Sequence, residues 1–217
     1  IIAAAQEERF SRKKHDASFP INAIRFVLKE GDCLLSEIDV IAFYEKPVLK
    51  FRRIFNSLLY FFPKGMKVFL KSIPYWIKGK LFVRKLIKKA LLEISDFDGP
   101  ILFPEHHLSH AASAFYPSPY DNAAILTCDG VGEWTTTSIC HGIQKDIRII
   151  KEMRFPHSLG LLYSSFTYFC GFKVNSGEYK LMGLAPYGDP LSDETLSFKR
   201  KIYDQLIDLR EDGSFIL

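Results

Sequence analysis

The stretch "NAAILTCDGVGEWTTTSICHG", residues 122–142, decides the fold. An uncharged run from Ala123 to Cys128 ends on Asp129 and Gly130. After a short turn, "WTTTSICHG" reads as a second strand, and "DIRIIKEMRF" (146–155) as a third. Just upstream, "PEHHLSHAASAFYPSP" (104–119) turns small and apolar after three histidines, which predicts a helix from near Glu105. Working outward, a strand is expected over about Ile1 to Glu7. A helix follows in "FPINAIRFVLKEG", with Ile21, Ile24, Val27 and Leu28 on one face and Gly31 as its stop. "LSEIDVIAFYEKP" reads as a strand ended by Pro47, and "GPILF" as a short strand. Beyond the three central strands lie a helix in "LGLLYSSFTYFCGF", a glycine-punctuated loop "NSGEYKLMGLAPYGDP", and a charged helix from about Ser192 to Leu209. Strands alternating with helices around a strand–turn–strand pair imply an α/β class with a mixed sheet and flanking helices.

Composition narrows the function classes. With 47% hydrophobic residues over 217 positions, the chain can bury a sizeable core, which argues against disorder. The four cysteines, Cys33, Cys128, Cys140 and Cys170, form no CxxC pair, so a zinc knuckle is excluded. They read as reduced, buried thiols of a cytoplasmic protein. No run of about 18 uncharged apolar residues occurs, so a spanning helix is not expected. The opening "IIAAAQEERFS" has no initiator methionine and the close "GSFIL" is strand-like, so the chain reads as a fragment of a longer protein. Residues 46–90 carry thirteen Lys or Arg and no Asp or Glu, interleaved with aromatics such as Phe51, Tyr60, Phe61, Phe62, Phe69, Tyr75 and Trp76. This segment is either a helical insertion with inward aromatics and solvated lysines, or a module for nucleic acid or an anionic membrane surface.

Three of the six histidines fall within five positions. In a helix, His106 and His110 share one face a turn apart, the spacing at which two imidazoles grip one metal ion, whereas His107 points elsewhere. His107 is a candidate for a supporting or acceptor-side group, or a surface residue. Asp129, at the end of an otherwise uncharged strand, would be costly to desolvate without compensation, and a divalent cation is one compensator. The same residues also suit a helix with surface histidines. In "DGVGEWTTTSI", Gly130 and Gly132 precede the hydroxyls of Thr135, Thr136 and Thr137, a turn whose amides can face phosphate; it is equally a plain hairpin. In the loop, Gly177 and Gly183 permit close backbone approach and Lys180 could neutralise phosphate, although the spacing matches no P-loop or dinucleotide fingerprint. "EERFSRKKHD" is a solvated charge run or a set of cations aimed at an anion.

Four motifs, "EERFSRKKHD", "HHLSHAASAFYPSPYDNAAILTCDGVGEWTTTS", "HSLGLLYSSFTYFCGF" and "GEYKLMGLAPYG", resemble in order those of the carbamoyltransferase family that includes nodulation protein U and the antibiotic carbamoyltransferases. The resemblance implies an actin/sugar-kinase-like domain, similar to the tRNA threonylcarbamoyladenosine enzyme, followed by a nucleotide-activating domain. In that scheme carbamoyl phosphate and ATP give a carbamoyl adenylate, and the carbamoyl group passes to a hydroxyl on a sugar or other small-molecule acceptor. The family's HxxxH ligands fall on His106 and His110, its strand-end aspartate ligand on Asp129, and its donor-side lysine on Lys14. The family's glycine-rich "HD" turn, its fourth metal ligand and its activating domain have no counterpart in these residues. The chain is therefore expected to be a partial N-terminal domain, with 46–95 as a basic helical insertion, and to be inactive by itself. The ligand types suit iron, zinc or manganese. A metal-dependent hydrolase or sugar kinase of the same fold is the alternative.

Overall fold

The computed structural model describes residues 1–67, 70, 71, 73, 74 and 82–217 and divides the chain into two units, Ile1–Glu105 and His106–Leu217. The first unit contains α1 (Glu8–Ser11), α2 (Ile21–Glu30), β1 (Ile41–Ala42), α3 (Pro47–Tyr60), α4 (Val83–Leu91) and β2 (Ile101–Leu102). Ile24 and Leu28, on the expected face of α2, pack on a core of Leu35, Ile87, Leu91, Phe97 and Ile101. Pro20 stands at the N-cap of α2 and has no side-chain acceptor to offer. Glu7 takes that role: its buried carboxylate accepts the Ala23 N–H at 2.9 Å and the Asn22 amide at 2.7 Å. Its neighbour Glu8 accepts the His15 N–H at 2.9 Å. "EERFSRKKHD" thus contains α1 and is anchored, by Glu7 to the start of α2 and by Glu8 to His15, rather than being a loose charge run.

In the second unit, β3 (Asn122–Cys128), β4 (Thr135–Ile143) and β5 (Asp146–Arg154) form an antiparallel sheet in that order. Helix α5 (His106–Phe115) covers one face, with Ala111, Phe115, Ile125 and Cys140 as the buried centre. Phe115 lies so close over Gly142 that a Cβ there would stand 2.6 Å from its ring. The chain continues through α6 (Leu159–Phe169), α7 (Glu178–Leu184), α8 (Asp193–Gln205) and the antiparallel pair β6 (Asp208–Leu209) and β7 (Phe215–Ile216).

The mixed α/β class holds, but among the described residues the expected mixed sheet is replaced by three small ones: a parallel pair β1–β2, the antiparallel β3–β4–β5, and the pair β6–β7. Ile1 to Gln6 forms no strand among the described residues, because an apolar run becomes a strand only where a neighbour pairs with it. The glycine-punctuated loop contains α7, and the charged helix stops at Gln205, with Asp208 and Leu209 turning into a strand. Only Cys140 is buried; Cys33 is half-buried, and Cys128 and Cys170 are exposed. The period of two along β3 explains Cys128, since Ile125 and Thr127 face inward and therefore turn it outward. Phe69, Tyr75 and Trp76 of the basic segment lie outside the described residues. Among those described, Phe51 is half-buried, whereas Phe55, Tyr60, Phe61, Phe62 and Phe82 are exposed.

Candidate metal centre

Helix α5 buries His107, Ala111 and Phe115, spaced i, i+4, i+8. That face fixes the neighbouring stripe, His106 and His110, at the margin where β3 ends in Asp129. His106 Nε2 lies 2.8 Å from Asp129 Oδ2 and 3.0 Å from His110 Nε2, and His110 Nε2 lies 3.9 Å from the same oxygen. One ligand atom from each residue falls within 4.8 Å of the others. A ring nitrogen has a single in-plane hydrogen or lone pair, so His106 Nε2 cannot satisfy two partners at these distances through one proton. A cation between the three atoms can. Bonds of about 2.1 Å place adjacent ligand atoms about 3.0–3.4 Å apart, within the span observed. Two imidazoles and a carboxylate therefore fit a divalent transition ion. His106 is mostly covered, whereas His110 is half exposed, so the centre opens to one side.

Asp129 is compensated by the protein itself. The His106 hydrogen bond, helped by the Gly130 N–H, outweighs its partial burial and holds the carboxyl down at about 2. His107 does not reach the surface. Only 2% exposed, its Nδ1 meets Thr127 Oγ1 at 2.6 Å and Ser138 Oγ at 3.3 Å, and those two hydroxyls meet at 2.6 Å. Burial first of all holds its ring below the ordinary imidazole value. It ties α5 to β3 and β4, which corrects the surface reading.

Three residues that the sequence reading passed over brace the centre. Buried Glu133, in the β3–β4 turn, accepts the His106 N–H through both oxygens at 3.0–3.1 Å, placing a carboxylate at the start of α5. Ser158 caps α6 by accepting the Leu161 N–H, and its own hydroxyl donates to the Gly130 carbonyl at 2.6 Å. Gly160 lets α6 press against the Asp129–Gly130 peptide, where a Cβ would stand 2.6 Å from the Asp129 carbonyl oxygen.

The family description "Carbamoyltransferase N-terminus" matches residues 1–217. The chain belongs to that family. An uncharacterized protein of Synechocystis is 53% identical over 221 residues, spanning all of this chain and 35% of the relative. Nodulation protein NolNO of Sinorhizobium fredii is 32% identical over 215 residues, covering 99% of this chain and 29% of the relative. Nodulation protein NolO of Bradyrhizobium diazoefficiens is 32% identical over 110 residues, 51% of this chain and 19% of the relative. The chain thus spans about a third or less of the length of these curated relatives.

Within this carbamoyltransferase domain, the groups expected to hold phosphate are largely engaged internally. The Gly130 N–H donates to Asp129 Oδ1, and the Gly132 N–H to the Thr135 carbonyl. Thr135 donates to Glu152, and the fully buried Thr136 hydroxyl donates to the His157 carbonyl at 2.6 Å, which removes both hydroxyls from an anion cradle. Gly132 has another use: a Cβ there would stand 3.0 Å from the His106 side chain. At the start of α7 the resident anion is Glu178, whose carboxylate accepts the Asn175 and Gly177 N–H groups and the Ser164 hydroxyl. Gly177 sits against the Lys173 carbonyl, Lys180 is exposed, and Gly183 has open space around it. Lys14 is exposed in the loop between α1 and α2 of the first unit. A groove of about 760 Å³ lined by Leu159, Leu162, Phe198, Ile202 and Tyr203 is walled by none of the candidate residues.

Proposed function

We propose that this domain supplies the transfer half of an O-carbamoyltransferase, in which a carbamoyl group made from carbamoyl phosphate and ATP, by way of an adenylate, passes to an acceptor hydroxyl. The observation that carries the reading is the convergence of His106 Nε2, His110 Nε2 and Asp129 Oδ2 in a chain of the carbamoyltransferase family. Iron, zinc or manganese bound there would supply Lewis-acid stabilisation of charge developing on the donor. The chain's own residues do the positioning. His106 and His110 present ring nitrogens from one helix face, Asp129 presents its ionised carboxylate, and Glu133, Ser158 and Gly160 hold helix and strand end in place. The exposed side of His110 leaves room for a donor and an acceptor to meet. An actin/sugar-kinase-like fold for the whole domain, Lys14 as a donor-side cation and a cytoplasmic setting belong to the same proposal. Among the described residues no helix is long and apolar enough to cross a membrane.

The test supplies the full-length protein with carbamoyl phosphate, ATP and a panel of sugar and other hydroxylated acceptors. AMP release that depends on carbamoyl phosphate, with a carbamoyl mass increment on an acceptor, is the expected result. ADP release with a phosphorylated acceptor would reassign the domain to kinase chemistry, and carbamoyl phosphate hydrolysis with no acceptor product would make it a hydrolase.

A further inference from the structure

The basic segment of the first unit reverses the usual sorting of a surface helix. In α3, Arg53 is 8% exposed, while at the helix end Leu59 is 59% exposed and Tyr60 83%. Phe61 and Phe62 follow directly at 51% and 62% exposure, and Leu70 stands at 58%. Isolated exposed apolar residues need no explanation, but four consecutive large ones do. The charged residues around them in the sequence are all cationic. Lys64, Lys67 and Lys71 are exposed within the same stretch, and residues 46–90 contain no carboxylate. The protein's net charge of +4 is the sum of +13 in that segment and −9 in the remainder. A moderate total thus conceals a strong segregation of charge along the sequence.

We propose that Leu59, Tyr60, Phe61 and Phe62, together with Lys64, Lys67 and Lys71, form a docking surface for an anionic membrane, the four apolar side chains entering the headgroup boundary and the lysines holding acidic headgroups. Aromatic and aliphatic side chains beside lysines suit an interface that is apolar on one side and wet and anionic on the other. Tyr60 and Phe61 meet edge to face at 5.0 Å, so the wedge is a packed pair rather than two independent rings. A single-stranded nucleic acid is served less well. Base stacking makes no use of Leu59 and Leu70, and the segment has ten lysines against three arginines, the residue that both stacks and pairs with phosphate. No described helix is long and apolar enough to span a bilayer. This surface is independent of the metal-centre reading.

The experiment is sedimentation of the full-length protein with vesicles of phosphatidylcholine alone and with about one third phosphatidylglycerol. Two variants accompany it: Tyr60→Ser, Phe61→Ser, Phe62→Ser and, separately, Lys64→Glu, Lys67→Glu, Lys71→Glu. Their unfolding midpoints are measured beside the wild type, which the exposure of these positions should leave unchanged. Binding to the anionic vesicles, weakened by salt and lowered roughly tenfold or more in each variant, is the expected result. No binding to anionic vesicles would overturn the proposal and indicate that another part of the full-length protein covers the surface. Equal binding to both vesicle types would also overturn it, as would variants binding like the wild type. Single-stranded RNA binding abolished by the same substitutions, with vesicles unbound, would replace it with the nucleic-acid reading.

Discussion

Substituting Gly160 with alanine tests whether the metal centre is held by backbone contact between α6 and the end of β3. The added Cβ would stand 2.6 Å from the Asp129 carbonyl oxygen, 2.7 Å from the Gly130 nitrogen and 2.8 Å from the Asp129 carbonyl carbon. Ordinary contact begins at 3.4 Å, so 0.8 Å must be found against the nearest atom. All three neighbours are backbone and cannot rotate away. Alanine's better helix propensity returns up to about 1 kcal/mol, whereas overpacking of this kind costs about 1–3 kcal/mol. With the full propensity gain the expected net loss is about 0–2 kcal/mol, and without it about 1–3 kcal/mol. The displacement matters more for the centre than for stability, because metal–ligand distances tolerate only about 0.2 Å. Metal affinity should fall about 10–100-fold, as for loss of other groups that orient ligands. Gly183→Ala is the control: nothing lies within 4 Å of its Cβ, so it should be neutral or stabilise α7 by up to about 1 kcal/mol and leave bound metal unchanged. The assay is the urea midpoint and bound metal of the full-length protein. A Gly160→Ala protein matching wild type in both would refute the reasoning.

Glu133→Ala should cost about 1–2 kcal/mol by removing the acceptor of the His106 N–H, and should weaken metal binding as α5 frays at that end; unchanged stability and metal content would count against it. His107 gives a pH dependence. Because burial lowers its folded-state value below the ordinary 6.5, the unfolded chain takes up the proton first, so the stabilisation is complete above 6.5 and is lost as pH falls below it. The urea midpoint should drop as pH falls below 6.5, and His107→Gln, weaker at neutral pH, should show a shallower slope. Equal slopes in the two proteins would contradict this account.

The three central strands and α5 were readable because their periods are strong. The uncharged run from Ala123 to Cys128 and the small apolar face after the histidines each admit one good arrangement. The spacing of His106 and His110 and the lone charge at Asp129 were readable for the same reason. His107 carried a signal that was missed: Ala111 and Phe115 follow it at four and eight residues, so it shares the buried face. Its hydroxyl partners could not be seen, since Thr127 and Ser138 face each other only through strand register. Glu133, Ser158 and Gly160 act across 27 to 31 residues of chain, and no local pattern announces such contacts. Glycine punctuation misled in the stretch from Asn175 to Pro190. Gly177 there is the N-cap of α7, and the N–H groups of Asn175 and Gly177 just before that helix already donate to the Glu178 carboxylate.

Bound metal tests the central claim most directly. Full-length wild-type protein and the variants His106→Ala, His110→Ala and Asp129→Asn, matched for folding by circular dichroism, are compared by elemental mass spectrometry and in the carbamoyl transfer assay. The account predicts about one iron, zinc or manganese ion per wild-type chain, with metal and transfer lost together in each variant. Equal metal in the wild type and all three variants would contradict it.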